Sequence, residues 1–264
     1  MTDTLLTEQA ALWLDDMHTR LARYQPLPEK LAPDSLAAAY KVQQALVRRF
    51  RLRGLQPLGH KIALSARKMQ ELVNIDRPVG GAIIADRLLT SPARVKSRLY
   101  GRLGVECEVA VRLSRDLAPS DEPYTEAEII AAVDCVSAAF EIVDDRHADY
   151  HGLSAFDLVA DNAWNAGIVI GEPVQLEDWG SLSTATASLV VDGEKVGEGV
   201  GSDAMGHPFN GLLTLANELT AHGITLKQGE WVLTGAVIRT QFPDVGSELV
   251  YSHDVLGEVR ATIV

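Results

Sequence analysis

The sequence predicts an α+β fold: a rolled-up mixed β-sheet with an N-terminal helical segment packed on it. Three observations lead there. Apolar residues recur at helical spacing through the first part of the chain, up to Gly54. After Gly54 the texture changes to short apolar runs of strand type. In the rest of the chain such strands outnumber helices, without strict βαβ alternation. The 264 residues fit a single catalytic domain over 1–264, with residues 1–55 as the helical segment.

The elements follow in order. Leu5, Leu6, Leu12, Trp13, Leu14, Met17 and Leu21 mark a first helix, which Pro26 and Pro28 end. A second helix starts with Asp34 as N-cap and stops near Gly54. Pro57 to Leu64, Ala82 to Ala85 and Val105 to Leu113 read as strands. Thr125 and Glu128 form a capping box that opens a helix. Ala138 to Asp144 is a buried strand, and Gly167 to Ile170 a shorter one. Thr184 to Val191 and Glu194 to Val200 flank Asp192-Gly193, a hairpin signal. Pro208 to Ala221 is a helix, with Pro208 in its first turn and Gly223 after its end. Trp231 to Thr234, Glu248 to Ser252 and Gly257 to Val264 close the chain as strands.

A formal charge of −12 argues against a nucleic-acid backbone as partner. No apolar run is long enough to span a bilayer, and the first residues lack a basic region followed by an apolar stretch. The two cysteines, Cys107 and Cys135, form no CxxC pair and read as small core residues in a reduced, cytoplasmic setting. There is no GxSxG elbow, no P-loop, no GxGxxG after a strand and no zinc-type spacing.

The chemistry centres on three glutamates in apolar surroundings. Glu106 and Glu108 lie in Val105-Glu106-Cys107-Glu108-Val109, and Glu141 in Ala139-Phe140-Glu141-Ile142-Val143. Residues i and i+2 of a strand share a face, so Glu106 and Glu108 point one way and Cys107 the other. A carboxylate facing a core is costly unless a cation accompanies it. Three of them make an all-oxygen site for a hard ion such as Mg²⁺ or Mn²⁺. The Glu106–Glu108 pair alone fits solvent-facing strand residues better than a site; Glu141 tilts the reading toward a site.

Lys61, within Leu58-Gly59-His60-Lys61-Ile62-Ala63-Leu64, is either a sheet-edge lysine or a catalytic one. Ser65 reads as the cap of a following helix whose free N–H groups suit a carboxylate, with Arg67 close by. Asp144-Asp145-Arg146-His147-Ala148-Asp149 reads as a solvated loop with local ion pairs, Asp145 and Asp149 included. His207 is expected to cap a helix end.

Taken together, these residues resemble a family. Gly59-His60-Lys61-Ile62-Ala63-Leu64, Val105-Glu106-Cys107-Glu108-Val109-Ala110 and Phe140-Glu141-Ile142-Val143-Asp144-Asp145-Arg146 match its motifs in order. So do Val159-Ala160-Asp161-Asn162, Met205-Gly206-His207-Pro208-Phe209-Asn210 and the segment from Leu226 to Gly235. The chain is similar to the 2-hydroxypenta-2,4-dienoate (2-keto-4-pentenoate) hydratases and 4-oxalocrotonate decarboxylases of the fumarylacetoacetate hydrolase superfamily.

The resemblance implies that superfamily's rolled sheet, Mg²⁺ or Mn²⁺ held by Glu106, Glu108 and Glu141, and Lys61 as the active-site lysine. Leu64, Ser65 and Asp161 are the substrate-binding candidates. It further implies homo-oligomers, possible association of hydratase with decarboxylase, and a role in meta-cleavage breakdown of aromatic compounds. The expected activity is addition of water to a 2-hydroxy-2,4-dienoate, giving a 4-hydroxy-2-oxo acid. A 2-oxo acid decarboxylase is the first alternative; an acylpyruvate-type C–C hydrolase and a non-catalytic partner subunit follow. Two segments depart from the pattern. Pro78-Val79-Gly80-Gly81 replaces an acidic Pro-Asp-aromatic-Gly segment, and Ala163-Trp164-Asn165 replaces small hydroxyl residues after Asp161-Asn162. Both are expected near the pocket.

Overall fold

The computed structural model describes residues 3–84, 88–176 and 178–264. Helices α1 (Asp3–Thr19) and α2 (Leu36–Leu52) form the N-terminal segment. They pack through Ala10, Ala11 and Leu14 against Val42, Ala45 and Leu46. Small side chains on the facing surfaces let the two helices approach closely. The cap of α2 is Ser35 rather than Asp34: its Oγ accepts from the Ala38 N–H at 3.3 Å. Both residue types can cap, and the extended backbone at Ser35 decides which one does.

The strands form two mixed sheets. The seven-stranded sheet contains β1 (Pro57–Ala63), β2 (Val79–Ile84), β3 (Leu88–Thr90), β5 (Leu103–Leu113), β6 (Val133–Asp144), β7 (Asn165–Ile170) and β10 (Trp231–Gln241). Its order is β2-β1-β10-β5-β6-β7-β3. The five-stranded sheet contains β4 (Ala93–Val95), β8 (Thr186–Val191), β9 (Glu194–Val200), β11 (Glu248–His253) and β12 (Gly257–Ile263), ordered β4-β12-β11-β8-β9. The expected strand at Ala82 to Ala85 falls within β2 as far as Ile84; Ala85 lies outside the described residues. Asp192 and Gly193, at φ 52° and 84°, make the β8–β9 turn with both central residues left-handed, as its tight two-residue loop requires.

Alternation along β5 and β6 builds the core. Val105, Cys107, Val109 and Phe140 face the five-stranded sheet and pack in one cluster with Leu189, Tyr251 and Val259. Phe140 and Tyr251 lie with ring centroids 6.0 Å apart. Truncating Phe140 to alanine here costs roughly 3–5 kcal/mol. The other face carries Ala110, Cys135 and Ala139, packed with Ile168 and Leu233. Glu106, Glu108 and Glu141 belong to that second face by parity. Both cysteines are buried and free.

Three short helices, α3 (Arg67–Leu72), α4 (Glu126–Ile130) and α5 (Ala155–Ala160), connect strands, and α6 (Ser181–Thr184) precedes β8. The Thr125–Glu128 capping box of α4 is formed. Helix α7 (Pro208–Ala221) begins at His207, whose Nδ1 accepts from the Phe209 N–H at 3.0 Å.

Candidate metal centre and active-site cavity

The ladder between β5 and β6 sets Glu106 directly opposite Glu141, and Glu108 opposite Ala139. One oxygen from each of the three glutamates lies within 4.8 Å of the others. Glu108 and Glu141 are fully buried; Glu106 is half-buried at the cavity side.

Each carboxylate is held by neighbouring donors, and the two fully buried ones each leave one oxygen open. Glu108 Oε2 accepts from the Gly235 backbone N–H at 2.8 Å. Glu141 Oε1 accepts from Asn165 Nδ2 at 3.0 Å and pairs with Lys61 Nζ at 3.1 Å. Glu106 Oε1 accepts from the Thr240 hydroxyl. Glu108 Oε1 and Glu141 Oε2 are buried without a hydrogen-bond partner. Buried polar atoms in folded proteins are almost always partnered, so two such orphans among three converging carboxylates fit a divalent cation.

The Gly235 donor comes from an irregular β10. Eight steps from Leu233 to Gln241 are matched by only five on β5, from Ala110 to Val105, so β10 carries three extra residues opposite the glutamates. Such bulges free backbone groups from the ladder and re-aim side chains. The first lies at Thr234-Gly235, with Gly235 at φ 114°.

Burial pushes the Glu108 carboxyl well above the usual range, and the charges of Glu141 and Glu106 add to it. Burial raises Glu141 too, while Lys61 pulls the other way. For Lys61, burial lowers the pKa but the charges of Glu141, Glu106 and Glu108 more than offset it, so the net direction is upward. Lys61 is 4% exposed, between Leu233 of β10 and Gly81 of β2, and is no sheet-edge lysine.

A cavity of about 470 Å³ opens from these groups. Its walls include Leu64 and Ser65, together with Val143, Tyr150, Leu158 and Trp164; Lys68 and Arg239 stand exposed at its rim. Leu64, Ala163 and Trp164 have φ of 56°, 47° and 57°, left-handed values costly for residues with a side chain. All three line the cavity, and such strain gathers at functional sites.

Several expectations change. Ser65 lines the cavity but caps no helix: α3 begins at Arg67 after Ala66, and no side chain caps it. The left-handed turn at Leu64 delays the helix. Arg67 is exposed and pairs with Glu71. Asp161 does not line the cavity. It is fully buried, bound by Arg146, by His18 Nε2 at 2.7 Å and by the Trp164 indole N–H at 3.1 Å. Burial alone would raise its pKa, but Arg146 and His18 hold it below the usual carboxylate range.

The run from Asp144 is no solvated loop, because Asp144, Asp145 and Arg146 are buried. Asp145 accepts from Arg102 and from the Tyr150 hydroxyl, while Asp149 is exposed as expected. The charges find partners remote in sequence, which makes burial tolerable. Pro78 to Gly81 does not line the cavity; Val79, Gly80 and Gly81 are buried in β2, and a side chain on Gly81 would meet the Asn162 carbonyl at 2.6 Å. Asn162 clamps that strand through both Ala82 backbone groups, at 2.7 and 2.8 Å.

A family model described as fumarylacetoacetate (FAA) hydrolase C-terminal matches residues 22–264. The chain belongs to this family. Among curated members it is 33% identical over 240 residues to a 2-keto-4-pentenoate hydratase of Burkholderia vietnamiensis, covering 90% of this chain and 89% of that protein. It is 32% identical to 2-keto-4-pentenoate hydratase 1 of Dechloromonas aromatica, with 97% of each chain covered. A 2-hydroxyhexa-2,4-dienoate hydratase of Comamonas testosteroni is 32% identical, with 80% of each covered. Among solved structures, the 4-oxalocrotonate decarboxylase of Pseudomonas putida G7, complexed with magnesium and adipate, shares the fold at TM-score 0.91 and 23% identity. That match covers 100% of this chain and 99% of that one. No helix among the described residues is long and apolar enough to cross a membrane.

Proposed function

We propose that this protein is a divalent-metal-dependent hydratase that adds water to a 2-hydroxy-2,4-dienoate, giving a 4-hydroxy-2-oxo acid. The observation that carries this reading is the pair of buried, unpartnered oxygens, Glu108 Oε1 and Glu141 Oε2, beside Lys61 on the cavity. The names of the curated relatives support the substrate class.

Glu106, Glu108 and Glu141 would hold Mg²⁺ or Mn²⁺. When bound, the ion supplies Lewis acidity to the carboxylate and C2 oxygen of the substrate. Lys61 Nζ lies 3.1 Å from Glu141 Oε1 and is the group placed to move a proton. Ketonisation takes the C2 hydroxyl proton away and delivers one to C5. Water oxygen then joins C4 while C3 gains a proton. Ile62, Val143 and Leu158 enclose the diene in apolar surface and limit the water that reaches it. Asn165 and Gly235 hold Glu141 and Glu108 in place from behind.

Decarboxylation of a 2-oxo acid with a second, distal carboxylate is the second reading, favoured by Lys68 and Arg239 at the rim. The test is a paired turnover assay with Mg²⁺ or Mn²⁺, with and without chelator. It follows loss of 2-hydroxypenta-2,4-dienoate absorbance and release of CO₂ from 4-oxalocrotonate. Chelator-sensitive dienoate loss without CO₂ is the expected result. CO₂ release moves the assignment to a decarboxylase, and silence in both points to an altered substrate, the acylpyruvate-type hydrolase included, or to the non-catalytic partner subunit.

A further inference from the structure

The cavity wall includes Val143, Tyr150, Leu158 and Trp164. None of these four carries a charge. Trp164 is held there by unusual means. Its indole N–H donates to Asp161 Oδ2 at 3.1 Å. Asp161 is fully buried and fixed in turn by buried Arg146 and by His18, which comes from α1. The indole packs edge-on against Tyr24 and Tyr150, with centroids 5.3 and 5.7 Å away at 78° and 86°. Asn162, Ala163 and Trp164 follow one another in left-handed backbone, at φ 56°, 47° and 57°. Three consecutive non-glycine residues in that region cost folding energy. Asp161 already has Arg146 and His18 as partners, so its buried charge does not require the indole. A strained turn, a buried ion pair and two ring contacts converge on fixing one side chain against the cavity.

We propose that Trp164 selects the distal group of the substrate, favouring an uncharged apolar tail on a 2-oxo acid over a second carboxylate, with Asp161 as its positioning residue. The proposal rests on the reading above, which places the 2-oxo acid head at the glutamates. An alkyl or aryl tail against the indole removes apolar surface from water on both sides. A carboxylate laid against the indole is stripped of water, and none of these four wall side chains offers it a cation; Lys68 and Arg239, exposed at the rim, would have to reach in to meet it.

The test measures dissociation constants by calorimetry on the Mn²⁺-loaded protein. Three unreactive 2-oxo acids are compared: pyruvate, 2-oxohexanoate and 2-oxohexanedioate, the last being the second with a distal carboxylate. Wild type should bind 2-oxohexanoate about tenfold or more tighter than 2-oxohexanedioate. Trp164→Ala should collapse that ratio toward one. Trp164→Phe, which keeps a ring but loses the N–H to Asp161, should fall between. Asp161→Asn should lower the ratio in wild type but leave it unmoved in the Trp164→Ala background, a non-additivity that a merely structural role does not produce. Tighter binding of 2-oxohexanedioate by wild type, or a ratio unchanged in Trp164→Ala and Trp164→Phe, overturns the proposal. Additive effects of Asp161→Asn overturn its positioning part. If pyruvate binds but no tail preference appears, the proposal falls alone; if no 2-oxo acid binds, the functional reading falls with it.

Discussion

Gly235 donates its backbone N–H to Glu108 Oε2 at 2.8 Å from a bulge in β10. With that bond made, the other oxygen, Oε1, is buried without a partner, open to the proposed cation. The backbone of one strand thereby orients a proposed metal ligand on its neighbour. Gly235→Ala tests the arrangement. Gly235 sits at φ 114°, and an added methyl would meet Ser65 Oγ at 3.2 Å. The variant should lose about 1–3 kcal/mol in urea unfolding. It should bind Mn²⁺ about 10–100-fold more weakly by calorimetric titration.

Removing a carboxylate should have opposite effects with and without metal. Three glutamates share one buried site, so the metal-free Glu108→Gln protein should unfold at higher urea than metal-free wild type. Mn²⁺ at 100 times its Kd should stabilise wild type by about 2.7 kcal/mol and leave the variant unmoved. Urea midpoints for both proteins, each with Mn²⁺ and with chelator, give the comparison. Glu106→Ala should likewise abolish metal binding and turnover.

Lys61→Met separates proton movement from metal holding. Lys61 contacts Glu141 but is not needed to bring the three glutamates together, because the β5–β6 ladder does that. The variant should keep Mn²⁺ binding and lose about 10²-fold or more in kcat. Equal loss of metal affinity would place Lys61 in the metal-holding structure instead.

Asp157 gives a pH dependence separate from the site. It is 6% exposed, and burial lifts its carboxyl to about 6; the Leu27 backbone N–H opposes this and Asp161 adds to it. A folded pKa above the unfolded value means the folded chain holds the proton more tightly. The resulting stability is full below about pH 4 and is lost as pH rises to about 6. With solvent screening the resulting effect is on the order of 1–2 kcal/mol. Asp157→Asn should therefore gain on wild type between about pH 4 and pH 6 in chemical unfolding, by an amount of that order. A constant difference across the window would contradict the assignment.

The site was legible where it followed strand parity. Glu106 and Glu108 share a face because they are two apart, and Glu141 stood out as the polar residue of an apolar run. Lys61 stood out for the same reason. What opposes what was not legible: sheet order and the Glu106–Glu141 register come from long-range pairing that no local pattern encodes. The strand expected over Trp231 to Thr234 runs on to Gln241, past a bulge at Gly235. A glycine within a strand pattern was the available signal. Asp145, Arg146 and Asp161 read as exposed or substrate-facing because their partners lie far off in sequence; His18 is 143 residues from Asp161. Ser65 looked like a cap because nothing in the sequence announces the left-handed turn at Leu64. The backbone donor from Gly235 and the aromatic wall of Tyr150 and Trp164 are properties of the folded chain alone.

The most direct test of the metal-centre claim is anomalous diffraction at the manganese edge from crystals of the protein soaked in Mn²⁺ and pyruvate. One strong peak is expected among Glu106, Glu108 and Glu141, at bonding distance from one oxygen of each. Pyruvate density is expected on the cavity side of that peak. A peak elsewhere, or no peak at the three glutamates with Mn²⁺ in excess, would contradict the metal-centre claim.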